Sequence, residues 1–205
     1  MNDHMLEVGE KTIVKSMDME EVPKLSDWTD NEDPIFFDYN FPVLKREEQI
    51  NWFKKKSSGT KRLFTIQDFD QNVIGYMSLR NVNIILRRAE FGIVLNPAVM
   101  NKGYGSDALK VLIKWFFEEL GYRQLVLTVA LYNKRALHIY KKLGFDYVSI
   151  IYETYDNPLF DPFSGENAAE YAKLFRKYRH QTYSKCIKMR LKKDRYKALK
   201  RQKVY

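Results

Sequence analysis

The sequence predicts an α/β (α+β) chain: a mixed central sheet of about seven strands flanked by helices, in a single domain over residues 1–205. Three observations predict it. Runs rich in β-branched and aromatic residues recur, separated by turn-type residues. A strong amphipathic helix, Tyr104–Leu120, lies between two such runs and makes a βαβ unit. No internal repeat, low-complexity block or long linker divides the chain.

The elements follow in order. "KTIVKSM" (Lys11–Met17) reads as the first strand, and "DMEEVPKLSDW" as a short helical or turn region. Thr29–Val43 is acidic and aromatic with two prolines, so it reads as loop with room for a short helix. Leu44–Lys56 is a helix candidate with Ile50 and Phe53 on one side, ended by "SSGT". "RLFTIQD" and "NVIGYMSLRNV" read as strands joined by the turn "FDQN". "RAEFGIVL" (Arg88–Leu95) is another strand, in which Gly92 marks a bulge or a close backbone approach. In Tyr104–Leu120, Ala108, Leu112, Trp115 and Phe116 share a face, and Gly121 supplies the stop. "QLVLTVA" (Gln124–Ala130) is almost wholly apolar, as in a strand buried on both faces.

"NKRALHIYKKL" is a shorter helix, with Asn133 as N-cap, Ala136, Tyr140 and Leu143 facing inward, and Gly144 as stop. "FDYVSIIYE" is the next strand. Residues 156–183 then read as a helical insert: Asn167 opens an amphipathic helix, Glu170 completes a capping box, and Ala168, Tyr171, Ala172 and Phe175 form the apolar side. "KCIKMRLKK" alternates and reads as the final strand, and residues 192–205 form a basic C-terminal tail, helical or frayed.

Composition excludes several classes. The lone cysteine, Cys186, permits no intrachain disulfide. His4, His138 and His180 match no zinc spacing, so no metal site is expected. The N-terminus has neither a basic region nor an apolar run of the kind a signal peptide needs, and no stretch approaches a membrane span. The expectation is a cytoplasmic protein without membrane partners. The net charge of +9 is uneven: Glu170–Tyr205 holds 14 Lys/Arg against 2 acidic residues, and the rest holds 21 against 24. The basicity therefore belongs to the C-terminal part, and with no nucleic-acid motif present it argues against a nucleic-acid partner for the whole protein.

The centre of the chain carries the chemistry. "NKGYGSDA" sets Gly103 and Gly105 at the mouth of a helix, where bare amides and the positive helix end suit a phosphate. The P-loop string is absent. Gly103, Gly105 and Ala108 match a dinucleotide fingerprint as letters, yet the preceding strand ends near Leu95, eight residues too early, and the next strand brings no acid for a ribose.

"LNPAVMNKGYGSDALKVLIKWFF" followed by "LVLTVALYNKRALHIYKKLGFDYV" resembles the GNAT superfamily of N-acetyltransferases. The first segment resembles the family's pyrophosphate loop and helix. The second resembles its N-x-x-A-x-x-x-Y-x-x-x-G-F segment, filled by Asn133, Ala136, Tyr140, Gly144 and Phe145. Within the superfamily, "RRAEFGIVL" and "ALHIYKKLGF" look most like spermidine N-acetyltransferases, with ribosomal-protein N-terminal acetyltransferases close behind. The resemblance covers about Phe64–Ser149, extends more loosely over Lys11–Gly59 and the last strand, and is absent over Asp156–Tyr183. The Arg or Gln that opens the family's loop is Met100 here, with Asn101 or Lys102 as substitutes.

The resemblance implies a fold, a cofactor and roles. The cofactor is acetyl-CoA. Gly103, Tyr104, Gly105 and Ser106 would hold its pyrophosphate by their amides, and Lys102 would add a charge. Phe91–Leu95 would run beside the pantetheine arm, with Ile93 and Val94 next to the thioester. Tyr140 matches the tyrosine near the cofactor sulfur, a general acid, against the alternative of a core tyrosine. Glu90 is the candidate base, against the alternatives of a salt-bridged strand residue or a water chain. Asn133 would both cap its helix and contact the cofactor. His138 reads as a surface residue, and Cys186 has no activating base in sequence, so direct attack by the amine is preferred to an acetyl-cysteine route.

The acceptor side would come from Glu20–Lys56 and the insert. Trp28, Asp33, Phe37 and Asp38 are the candidate substrate residues, because carboxylates beside aromatics suit a cationic amine; a solvated acidic loop is the alternative. The expected activity is acetyl transfer to a small cationic amine such as a polyamine. The alternatives are a peptide amine, as in N-terminal acetylation, and a non-catalytic acetyl-CoA-binding or RNA-associated module using the basic tail. The insert would cap the acceptor groove or make a homodimer contact.

Overall fold

A computed structural model describes residues 6–205; His4 and the opening of the N-terminal segment lie outside the described residues. The strands are β1 (Leu6–Val8), β2 (Ile13–Ser16), β3 (Arg62–Gln67), β4 (Val73–Asn83), β5 (Arg88–Leu95), β6 (Gln124–Ala130), β7 (Asp146–Thr154), β8 (Phe175–Tyr178) and β9 (Gln181–Lys192). They form one sheet in the order β1-β2-β3-β4-β5-β6-β9-β7, with β8 on β9. β5 and β6 are parallel, and the other neighbours are antiparallel. The helices are α1 (Arg46–Ser57), α2 (Tyr104–Glu118), α3 (Lys134–Lys142), α4 (Ala168–Tyr171) and α5 (Lys193–Arg201).

Strand alternation divides the sheet into two faces. On one face Phe91, Leu125, Leu127, Val129, Met189 and Leu191 join Ala108, Leu112 and Phe116 of α2, Leu137 and Tyr140 of α3, and Tyr196 of α5 in the main core. Two smaller clusters cover the ends of the other face. One sets Leu63 and Val73 against Val22, Leu25, Trp28, Trp52 and Phe53. The other sets Ala130 and Cys186 against Ile35, Tyr132, Tyr155 and Phe175. The middle of that face, where Ser78, Arg80, Glu90 and Gly92 pair across β4 and β5, belongs to neither cluster.

The sheet has nine strands rather than about seven. The additions are β1, which pairs with β2, and β8, which corrects the helical insert. The apolar stripe Ala168, Tyr171, Ala172 and Phe175 has helical spacing, but α4 spans only Ala168–Tyr171 and Asn167 makes no side-chain cap bond. Phe175 instead opens a strand. β6 pairs with β9 only as far as Cys186, so Gln181–Ser184 of β9 present free backbone groups, and β8 fills that edge. Phe175 then stacks on Tyr132 at 5.6 Å.

The basic tail is docked rather than free. Tyr196 and Leu199 of α5 are buried, Tyr196 Oη donates to Glu118 Oε1 at 2.7 Å, and Lys200 pairs with the same carboxylate.

Candidate active site

Parallel strands β5 and β6 share only three pairs, Arg88–Gln124, Ala89–Leu125 and Glu90–Val126. Both strands continue, β5 to Leu95 and β6 to Ala130, but they part beyond Glu90. The edge of Phe91–Leu95 that faces β6 is therefore left unpaired by the sheet, in position to bond an extended ligand. A cavity of about 580 Å³ occupies this wedge, and Phe91, Gly92, Ile93, Val94 and Leu95 line it with Thr128 and Val129 of β6.

The mouth of α2 closes one end. Gly103 is its N-cap at φ 89°, with no side chain capping it. The first helical amide bond runs from Asp107 N to Gly103 O at 3.1 Å, so the amides of Tyr104, Gly105 and Ser106 precede the helix's own bonding. The acid of the first turn, Asp107, is buried and points away: it accepts from Glu10 N, Lys11 N and Thr12 Oγ1 at 2.9, 3.0 and 2.6 Å. This removes a negative charge from the helix mouth and pins the β1–β2 turn to it. Lys11 Nζ donates to Lys102 O at 3.1 Å and would stand 3.3 Å from a Cβ on Gly103. A Cβ on Gly105 would meet Leu95 Cδ1 at 2.8 Å, so the glycine lets α2 start against the end of β5.

The structure brings most of the expected cofactor residues into one lining: Phe91, Ile93, Val94, Leu95, Asn101, Gly103, Tyr104, Gly105, Ser106, Asn133 and Tyr140. Met100 and Asn101 both line it. Lys102 does not; its carbonyl serves Lys11, whose ammonium is the cation beside the loop. Gly92 is not a bulge, because the register with β4 runs unbroken through Ser78–Gly92. Its value is room: a Cβ there would meet only Ser78 Oγ, at 3.7 Å.

Tyr140 is both core and site. Its ring packs edge-on against Phe91 at 5.8 Å and Phe145 at 5.9 Å, while the residue lines the cavity. Burial, and secondarily Tyr39, push its phenol well above the ordinary range. Asn133 Oδ1 accepts from Ala136 N at 3.0 Å, so it caps α3 and lines the cavity at once. Burial, with the charge of Asp38 next, also pushes the Tyr39 phenol up to about 12.

Glu90 is engaged on both carboxylate oxygens. Its Oε1 accepts from Arg80 Nη2 at 2.6 Å, its Oε2 accepts from Asn81 Nδ2 at 2.9 Å, and it is absent from the lining. The salt bridge is to Arg80, directly opposite on β4.

The acceptor residues are also redistributed. Trp28 stacks behind Tyr76 at 6.2 Å and donates Nε1 to Val73 O, away from the cavity. Asp33 caps the short turn Pro34–Tyr39 by accepting from Ile35 N. Phe37 is outside the lining, whereas its neighbours Phe36 and Tyr39 are in it. Asp38 is open at the surface overall, but its Oδ2 turns inward to accept from Tyr132 Oη at 3.5 Å. Desolvation pushes that carboxyl up to about 6.

Sequence reading missed Lys56, Tyr76, Ser78, Arg80 and Arg135, all in the lining. The alternation Tyr76, Ser78, Arg80 along β4 was a usable signal, since those positions share a face with Gly92. Nothing local marks Lys56. A second hollow, about 700 Å³, lies between α2 and α5 and has no glycine cradle or splayed strand.

A parallel pair that opens beside a glycine-started helix is the architecture of a domain that lays an extended, anion-bearing ligand between two strands. The chain belongs to the acetyltransferase (GNAT) domain family, whose model matches residues 13–146. It is 33% identical over 99 residues to the spermidine N(1)-acetyltransferase of Vibrio cholerae, covering 48% of this chain and 56% of that protein. It is 36% identical over 86 residues to the Escherichia coli K12 spermidine N(1)-acetyltransferase, covering 42% and 46%. The chain thus spans about half the length of these curated relatives. The fold matches the crystal structure of spermidine N-acetyltransferase from V. cholerae in complex with CoA and spermine: TM-score 0.67, 20% identity, 90% of this chain and 97% of that one. Among the described residues no helix is long and apolar enough to cross a membrane.

Proposed function

We propose that the protein is an N-acetyltransferase that moves an acetyl group from acetyl-CoA to a primary amine by direct attack. The observation that carries this reading is the coincidence of three features in one cavity: the unpaired edge of Phe91–Leu95, the uncapped glycine start of α2, and the buried phenol of Tyr140.

Acetyl-CoA supplies an activated thioester when bound. The chain's own residues do the rest. The amides of Tyr104, Gly105 and Ser106 would hold the pyrophosphate, and the Lys11 ammonium would add positive charge beside it. The free edge of Phe91–Leu95 would bond the amides of the pantetheine arm, with Asn133 lining the same cavity from α3. An amine nitrogen attacking the thioester carbon would displace the sulfur, and the open cavity would let the amine proton leave to solvent. Tyr140, held protonated by burial, would give its proton to the departing sulfur and regain one from solvent through the cavity it lines. Cys186 is buried beside Ser184, away from the lining, and takes no part.

The names of the relatives support a polyamine as the first acceptor to try. Thiol release from acetyl-CoA in the presence of polyamines, amino acids, amino sugars and peptides tests the reading. Release that depends on an amine is expected. Tight acetyl-CoA binding with no release for any amine would overturn it.

A further inference from the structure

We infer that the acceptor carries an anionic group, a carboxylate or a phosphate, beside its amine, and that Lys56 and Arg80 recognise it. The inference rests on the acetyl-transfer reading and departs from a polyamine acceptor.

The two ends of the cavity can be told apart along β5. Leu95 lies against Gly105 at the helix mouth, which is the phosphate end. Phe91 packs on Tyr140, which is the reacting end. Arg80 pairs opposite Glu90, one residue beyond Phe91 and two beyond Gly92, roughly 7 Å further along the strand from Gly92. Arg80 therefore sits past the reacting end, on the side from which an amine would approach, and is too far along to serve the cofactor's pyrophosphate. Lys56, in the last turn of α1, lines the same cavity.

The charge at that end is positive. None of the residues lining the cavity is Asp or Glu. Glu90 offsets Arg80 through their ion pair. Lys56 has no such offset: among the described residues its ammonium lies over the Trp52 ring at 5.8 Å and has no carboxylate partner. The neighbouring charges that act on it are those of Arg80, Lys55 and Lys61, all cationic, and they add to desolvation in lowering its proton affinity. A polyamine would bring further positive charge to a half-buried ammonium, and like-charge juxtaposition is strongly disfavoured. An anionic group would supply the missing partner. The acidic residues expected to receive a cation are not in the lining: Asp33 caps a turn, and Asp38 accepts from Tyr132.

The test compares kcat/KM with acetyl-CoA for spermidine, glutamate and glucosamine 6-phosphate, in the full chain and in Lys56→Glu and Lys56→Gln. Glutamate and the sugar phosphate separate a carboxylate from a phosphate source. The expected result is that at least one anionic amine exceeds spermidine by about tenfold, with a KM that rises as salt is added. Lys56→Glu should reverse the preference, Lys56→Gln should fall between, and the CoA dissociation constant should stay unchanged in both. Spermidine used more efficiently than both anionic amines would overturn the inference while leaving acetyl transfer standing. A preference unchanged in Lys56→Glu would also overturn it. No thiol release with any amine would remove the acetyl-transfer reading, and this inference with it.

Discussion

Asp107 accepts the hydroxyl of Thr12 at 2.6 Å across 95 positions of chain, and the same carboxylate takes the amides of Glu10 and Lys11. One buried side chain thus ties the first hairpin to the mouth of α2. A Cβ on Gly9 would stand 2.3 Å from that carboxylate, so the turn has no space for a larger residue. Asp107→Ala strands the buried Thr12 hydroxyl and two part-buried amides and should cost about 2–4 kcal/mol, read as a lower urea midpoint. Thr12→Val should cost about 1–2 kcal/mol. Stability unchanged in Asp107→Ala would refute the anchoring role.

Gly103 combines a positive φ with an uncapped helix start. A β-branched residue is strained there and its side chain would meet Lys11. Gly103→Val should weaken CoA binding at least about tenfold by calorimetry, through lost close approach of the amides to the phosphate. Gly92→Ala meets only ordinary contact at Ser78 Oγ and should fold normally.

Tyr140→Phe keeps the ring between Phe91 and Phe145 and removes only the hydroxyl. Turnover should fall about 10²-fold while the CoA dissociation constant stays within about twofold. A full rate in that variant would leave Tyr140 as a core residue alone.

Asp38 gives a pH signature. Its carboxyl sits at about 6 in the folded chain against 3.8 for the ordinary group, chiefly through desolvation. The folded state therefore binds this proton more tightly than the unfolded one. Its contribution to stability is greatest below about pH 4, declines as pH rises through about 6, and is level above. The thermal midpoint of wild type relative to Asp38→Asn should fall across that interval. A constant difference between the two proteins from pH 4 to 7 would contradict it.

The C-terminal helix separates charge from packing. Lys200 is half exposed, and removing its ion pair with Glu118 should change stability by less than about 1 kcal/mol. Tyr196 is buried against Phe117 and Tyr205, and Tyr196→Ala should cost about 3–5 kcal/mol in denaturant titration. Equal effects of the two changes would mean that α5 is not part of the core.

Local physics made much of this protein legible from its letters. The 3.6-residue spacing of Ala108, Leu112 and Phe116, the Asn133 cap and the stop at Gly144 each act within a few residues, and each element formed where that chemistry sits. The glycine pair likewise marked an uncapped helix start, because the backbone freedom it provides needs no distant partner. Tertiary structure decided what depended on partners far along the chain. Phe175 entered a strand rather than a helix because β9 had an unfilled edge. Glu90 is ion-paired because the pleat put Arg80 opposite it. Trp28, Asp33 and Phe37 lie outside the cavity lining, and Lys56 and Arg80 lie in it, because the direction of each side chain is assigned by packing against the whole sheet. Charge and aromatic content in a loop report what it could bind, whereas the direction each side chain faces is set only when the core closes.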